Sequence, residues 1–254
     1  MNYAGKYRLV QYIAIACLVV SQVSCKRGDG EIRAGIVQNE VKVDGSPEEW
    51  GTIRAYEVNS PDDLWIGQGM VLENWKGEDD LSFRWRSCWD GEKIYFLFEV
   101  KDDLLVEPAG QTYSWLNDCI EIMIDPSNTG GARFTSSDAG KQLYGYEMHF
   151  LPASPNHVFV NDSIAPVYSM EFAQDSLFLE AWDGEFCCIK SESGYIAEIG
   201  FRLPGMELQK DMVMGLDVDV CDDDGEGRKS LMIWSGTKKE FWLNMDEYPK
   251  VVLK

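Results

Sequence analysis

The chain has 254 residues, of which 45% are hydrophobic and 26% charged, and 43 acidic against 23 basic residues give it a net charge of −20. That composition supports one sizeable core and excludes a disordered or fibrous chain. The carboxylate surplus would repel a phosphate backbone, which excludes nucleic acid as a partner. With only two histidines, His149 and His157, there is little material for imidazole catalysis or metal binding.

At the N-terminus, Lys6 and Arg8 precede an apolar run from Tyr12 to Val20, and small and polar residues then lead to Cys25. This is the layout of an export signal, too short and too interrupted for a spanning helix. Val23-Ser24-Cys25 is similar to a bacterial lipobox, whose cysteine is diacylated and becomes the first residue of the mature protein, although Gln22 stands where that motif carries an apolar residue. Cys17, after Ala14-Ile15-Ala16, fits the small-residue pattern but leaves an apolar region of only a few residues, so Cys25 is the expected lipidation site. Residues 1–25 are therefore read as the signal, 26–38 as a glycine-rich and charged tether, and 39–254 as one folded body. The expected location is outside the cytoplasm, anchored by lipid to a bacterial membrane, at the outer membrane or cell surface.

The body alternates with period two. Phe83, Trp85 and Ser87 alternate with Arg84 and Arg86, and Ile94, Phe96, Phe98 and Val100 with Tyr95, Leu97 and Glu99. Ile120, Ile122 and Ile124 alternate with Cys119, Glu121 and Met123; Tyr144, Tyr146, Met148 and Phe150 with Glu147 and His149. Tyr195, Ala197, Ile199, Phe201 and Leu203, and then Leu216, Val218 and Val220, complete the set. Trp89-Asp90-Gly91 predicts a hairpin turn, and 192–194 and 222–227 predict loops. The stretch 128–142 has the weakest pattern, and no segment carries a clear helical stripe. The expected fold is an all-β, antiparallel sandwich of two sheets, of the immunoglobulin-like or jelly-roll-like kind. Cys88, Cys119, Cys187, Cys188 and Cys221 match no zinc spacing, and most of them read as small buried residues, with a disulfide neither required nor excluded.

The segment from Tyr113 to Pro126 concentrates the candidate chemistry. On a strand its three isoleucines face the core, and Trp115, Glu121 and Met123 share the other face. An indole packs against the C–H face of a pyranose, and carboxylate oxygens accept from ring hydroxyls, so this pairing suits a sugar; a rim or core role for Trp115 is the plainer alternative. Trp50, Trp85 and Trp234 read as packing, and His149 as an exposed strand residue.

Several blocks in order resemble the family-9 carbohydrate-binding modules. Val43-Asp44-Gly45 with Glu49-Trp50 is similar to their opening, Trp85 to Asp102 to their second and third strands, and Trp115…Asp118-Cys119-Ile120-Glu121-Ile122-Met123-Ile124-Asp125 to their central block. Gly194-Tyr195-Ile196-Ala197-Glu198, Asp217 to Asp222, Arg228, Ile233-Trp234, Trp242 and the closing Val251-Val252-Leu253 follow, so the resemblance runs from about residue 40 to the end. It implies a sugar end unit held between Trp115 and Trp242, with polar contacts from Glu121, Asp219 and Arg228. Glu147 stands where the family has an arginine, and Lys239 where it has an asparagine, which leaves the sugar preference open. The resemblance also implies structural calcium, for which Asp102, Asp103, Asp222, Asp223 and Asp224 are suitable oxygen ligands; solvated acidic loops are the alternative.

The function expected is non-catalytic glycan binding that supports polysaccharide capture or catabolism beside degrading enzymes or transporters, with no redox cofactor. Two alternatives stay open. A glycoside hydrolase would need two carboxylates at a set separation, and the many acidic residues satisfy any window by chance. A haem-binding domain of the DOMON type would need axial ligands such as Met123, Met148 or His149, which nothing in the sequence pairs.

Overall fold

The computed structural model describes residues 32–36, 41–106, 113–137, 140–143, 145–153, 158–160, 163–165, 183–203 and 205–254. Cys17 and Cys25, the rest of the expected export signal and Tyr144 lie outside them. Among the described residues there is no α-helix, only short 3-10 turns, and no helix is long and apolar enough to cross a membrane.

Fifteen strands follow in chain order: β1 (Ile32–Ile36), β2 (Tyr56–Val58), β3 (Leu81–Trp89), β4 (Ile94–Asp102), β5 (Cys119–Asp125), β6 (Phe134–Ser137), β7 (Gly140–Leu143), β8 (Tyr146–Phe150), β9 (Val158–Val160), β10 (Ser163–Ala165), β11 (Gly184–Ser191), β12 (Gly194–Phe201), β13 (Val213–Asp223), β14 (Arg228–Ile233) and β15 (Lys250–Leu253). One sheet runs β10-β9-β8-β5-β13, with β14 and β15 sharing the far edge of β13. The other runs β11-β12-β4-β3, with β2 and β1 sharing the far edge of β3. The two sheets make the expected antiparallel sandwich. β6 and β7 pair as a separate hairpin within the stretch that showed the weakest pattern.

Alternation places the core as expected. Phe83, Trp85, Phe96, Phe98, Ala197, Ile199 and Phe201 of one sheet meet Ile120, Ile122, Ile124, Leu216, Val218 and Val220 of the other. Phe96 and Phe201 stack at 5.9 Å between centroids, inclined by 13°. Trp50, Trp85 and Trp234 are buried, as the packing role requires.

The β3–β4 turn follows from Asp90, whose Oδ1 accepts from the backbone N–H of Glu92 and of Lys93 while Tyr95 donates its hydroxyl to Oδ2 at 2.7 Å. Gly91 supplies the positive φ of +101°. At the β11–β12 turn Gly194 sits at φ +126°, and a Cβ there would lie 2.1 Å from the Val100 carbonyl oxygen on β4. Gly194→Ala is therefore expected to destabilise the fold by at least about 2 kcal/mol in urea unfolding, since backbone must move to admit one methyl.

Two expectations are corrected. Ile32–Ile36, read as part of the tether, is a strand: residues 32–34 pair in parallel with β15 and residues 35–36 in parallel with β3. The outer face of the first sheet is not open to water either. Segments 64–76 and 237–248 lie across it, so that Trp65, Met70, Phe241, Met245 and Tyr248 form a second apolar cluster with Cys119, Met123, Cys221, Leu231 and Ile233. Every residue of β5 is consequently buried, on both faces.

Candidate functional site

That overlay leaves a gap. A cavity of about 230 Å³ is lined by Gln68, Trp115, Glu121, Arg133, Glu147, Arg228, Phe241 and Trp242. Four of the five residues expected to bind sugar, Trp115, Trp242, Glu121 and Arg228, thus meet in it. Asp219 does not line it: its carboxylate is fully buried on β13, beside Glu121 in register. Glu121 is on the expected face of β5, but Trp115 reaches the site from a 3-10 turn, Ser114–Leu116, and not from the strand whose parity placed it.

Each indole is braced and half-buried. Trp242 meets Trp65 and Phe241 edge-on, both at 5.1 Å, and its carbonyl oxygen accepts from Arg133 Nε at 2.7 Å. Trp115 stacks on Tyr113 at 5.4 Å, and the Arg228 guanidinium lies 4.9 Å from its ring centre. Arg228 also donates to Gln68 Oε1 at 3.1 Å.

Buried charge is arranged beneath the rings. Arg133 and Glu147 form an ion pair at 2.6 Å. Burial alone would raise the Glu147 carboxyl, but Arg133 and His149 outweigh it and hold the group below its usual range. Glu121 is pushed up, by burial first and by the Glu147 charge in addition, against the pull of His149 and Arg228. His149 is 1% exposed, so the reading of an exposed histidine is wrong: the overlay that covers β5 also covers its neighbour on β8. Lys239 does not line the cavity; its ammonium pairs with Glu247. Through its pairing with Glu147, Arg133 brings a guanidinium into the cavity lining.

The acidic loop residues sort into three roles. Asp102, Asp118 and Asp222 bring one carboxylate oxygen each within 4.8 Å of one another, all buried, and Asp222 Oδ1 has no hydrogen-bond partner. Asp80, Asp103 and Asp224 make a second, more exposed trio. Asp223 caps the turn instead, accepting from the N–H of Gly225 and of Gly227. Burial and then repulsion by neighbouring carboxylates push Asp102 up to about 6 and Asp118 and Asp222 up to about 8. An all-oxygen, negatively charged set with an orphaned oxygen fits a hard cation such as calcium. Sequence reading missed Asp80 and Asp118 because they come from segments far from the acidic run, and it missed Arg133 and Gln68 because neither belongs to a recognisable pattern.

A wider depression of about 520 Å³ lies along β2, β3 and β4, lined among others by Glu57, Arg84, Glu99 and Lys101. Arg84 and Glu99 pair with each other there, and no indole lines it.

Three solved structures share this fold. A family 9 carbohydrate-binding module from Caldicellulosiruptor kristjanssonii in complex with cellotriose superposes with a TM-score of 0.63 at 14% identity, covering 89% of this chain and 94% of that one. The same kind of module from that organism in complex with glucose gives 0.60 at 15% identity, covering 87% and 95%. A Bacteroides uniformis protein gives 0.53 at 12% identity, covering 89% and 100%. No curated protein matches the sequence. Residues 59–254 match the family described as carbohydrate family 9 binding domain-like, which is most of the chain and includes the whole cavity. The chain belongs to that family.

Proposed function

We propose that the protein is a non-catalytic carbohydrate-binding module that takes one saccharide unit between Trp115 and Trp242. The observation that carries this reading is the convergence of both indoles, 127 residues apart in the sequence, on one cavity that also holds Glu121 and Arg228. The rings offer apolar faces to the C–H side of a pyranose, and the carboxylate and guanidinium offer an acceptor and donors to its hydroxyls. Asp219 stands beside Glu121 in register but outside the cavity lining, so no direct contact with the sugar is proposed for it. The cavity is smaller than the roughly 300–1,000 Å³ typical of drug-sized ligands, which suits a chain end better than a polymer threaded through.

Calorimetry against a glycan panel that includes glucose and cellotriose tests the reading. Micromolar or weaker binding without reducing-sugar release is the expected result. Failure of every glycan to bind, or steady turnover of one, overturns it. The module is further proposed to be exported and held at a bacterial membrane by a lipid on Cys25, where it would collect glycan for neighbouring enzymes or transporters; radiolabelled acyl incorporation lost in Cys25→Ala is the check.

Calcium is proposed at Asp102, Asp118 and Asp222, where it would neutralise the buried charge and tie β4, the start of β5 and β13 together. In the folded, cation-free protein these carboxyls hold their protons more tightly than in the unfolded chain, where they titrate near 3.8. Their contribution therefore favours folding at acid pH and is lost as pH rises through about 6 and then about 8. The thermal midpoint in chelator is expected to fall between about pH 5 and pH 8, and millimolar calcium to restore it at the upper end. A midpoint indifferent to calcium at about pH 8 would remove the cation from this site.

A further inference from the structure

Three neighbouring strands place a second ligand set under the cavity floor. His149 on β8, Glu121 on β5 and Asp219 on β13 stand side by side in register, and two residues further along β5 and β13, on the same face, Cys119 faces Cys221. Residues directly opposite in an antiparallel ladder have Cβ atoms about 4.5–5.5 Å apart, close enough for their side chains to share one ligand. Cys119, Glu121 and His149 each bring a donor atom within 4.8 Å of the others, and so do Glu121, Asp219 and Cys221. None of the five is more than 2% exposed.

A separate observation points to something that binds there. Both carboxylate oxygens of Asp219 are buried without a hydrogen-bond partner, at 0% exposure. An unmatched buried carboxylate costs several kcal/mol, so a fold that keeps one has a use for it. Arg228, the cation beside it, directs its donors to Gln68 and to Cys221 Sγ, the latter at 3.6 Å.

We propose that Cys119, Glu121, His149, Asp219 and Cys221 form a site for one divalent cation of the zinc class. Two thiols and an imidazole beside carboxylates select a borderline-soft ion over calcium, which takes oxygen alone. The outer contacts also suit a metal. Ser114 Oγ hydrogen-bonds His149 Nδ1, which leaves Nε2 directed at Glu121 and Glu147, at 3.9 and 3.5 Å. Arg228 is placed to balance thiolate charge. Tetrahedral zinc takes four donors with bonds of about 2.0–2.3 Å, so four of the five would bind it at once, each trio closing in from within 4.8 Å, and the thiols release their protons to water as it binds.

The test uses the purified full chain, stripped with a chelator and titrated with Zn²⁺ and, separately, Co²⁺. The expected results are uptake of one zinc per chain and a thiolate-to-metal charge-transfer band in the cobalt form that excess Ca²⁺ leaves in place. Cys119→Ser is expected to remove that band and weaken zinc binding at least about tenfold, and Ser114→Ala to weaken it about 10- to 100-fold while keeping the band. No zinc uptake by folded protein, a cobalt spectrum without thiolate character, or a Cys119–Cys221 disulfide found by mass spectrometry of the unreduced protein would each overturn the proposal. Glycan binding is read at the two indoles and zinc uptake at the two thiols, so each can fail while the other succeeds, even though Glu121 serves both.

Discussion

Trp115→Ala and Trp242→Ala are each expected to weaken glycan binding by about one to two orders of magnitude. Stacking on one aromatic face contributes about 1–3 kcal/mol in the comparable case of nucleobases, and a factor of ten in affinity is about 1.4 kcal/mol. The expected loss is large because both rings are held in place before any ligand arrives. Trp242 is wedged against Trp65 and Phe241 and its backbone is tied by Arg133, so little ordering cost remains at binding. Trp115 is fixed by Tyr113 and Arg228 in the same way. Trp242→Phe, which keeps a smaller face, should fall between wild type and alanine. Both positions are half-buried at the rim, so the thermal midpoint should move little by comparison. If the two alanine variants bind a glycan that wild type binds with unchanged affinity, the sugar sits elsewhere on the molecule.

The largest stability effect is expected at Glu198→Ala, a loss of about 3–5 kcal/mol read as a shift of the urea midpoint at constant slope. Glu198 lies on the outer face of β12 with no exposure, and its carboxylate accepts three donors: Trp50 Nε1 at 2.6 Å, and the backbone N–H of Asp44 at 2.8 Å and of Gly45 at 2.5 Å. Alanine strands all three at once. It also releases the Val43-Asp44-Gly45 turn, where Gly45 at φ +83° packs against Ile189. Since a domain of this kind is stable by only about 5–15 kcal/mol, the change would consume a large share of the margin. Glu198→Gln keeps one acceptor and should cost less. A loss under about 1 kcal/mol for alanine would mean that water reaches these donors.

Alternation in the sequence was enough to locate β3, β4, β5, β8, β12 and β13, because these strands put an apolar face on the shared core and period two reports that directly. It could not report what covers the other face. The burial of Glu121 and His149 depends on Trp65, Met70, Phe241 and Tyr248, which come from irregular segments with no period to read. The same limit explains Trp115. Its role in the cavity was legible from the resemblance, yet its position comes from a 3-10 turn, where strand parity says nothing. Asp118 and Asp222 illustrate a third limit: the acidic run at 222–224 is conspicuous, but only folding shows that Asp222 turns inward to Asp102 and Asp118 while Asp223 turns back to cap its own loop. β1 was missed because its pairing is set by β15 and β3, residues from the far end and the middle of the chain, and not by any pattern of its own.

That strand bears on how the protein can be trimmed. A product begun at residue 39, where composition alone would draw the border, discards β1 and bares backbone donors and acceptors along β15 and along the end of β3. Such uncovered margins recruit other chains, so the shortened form should self-associate in light scattering where one begun near residue 28 stays monodisperse. The seam between the two layers is closed by residues that composition alone assigns to a spacer.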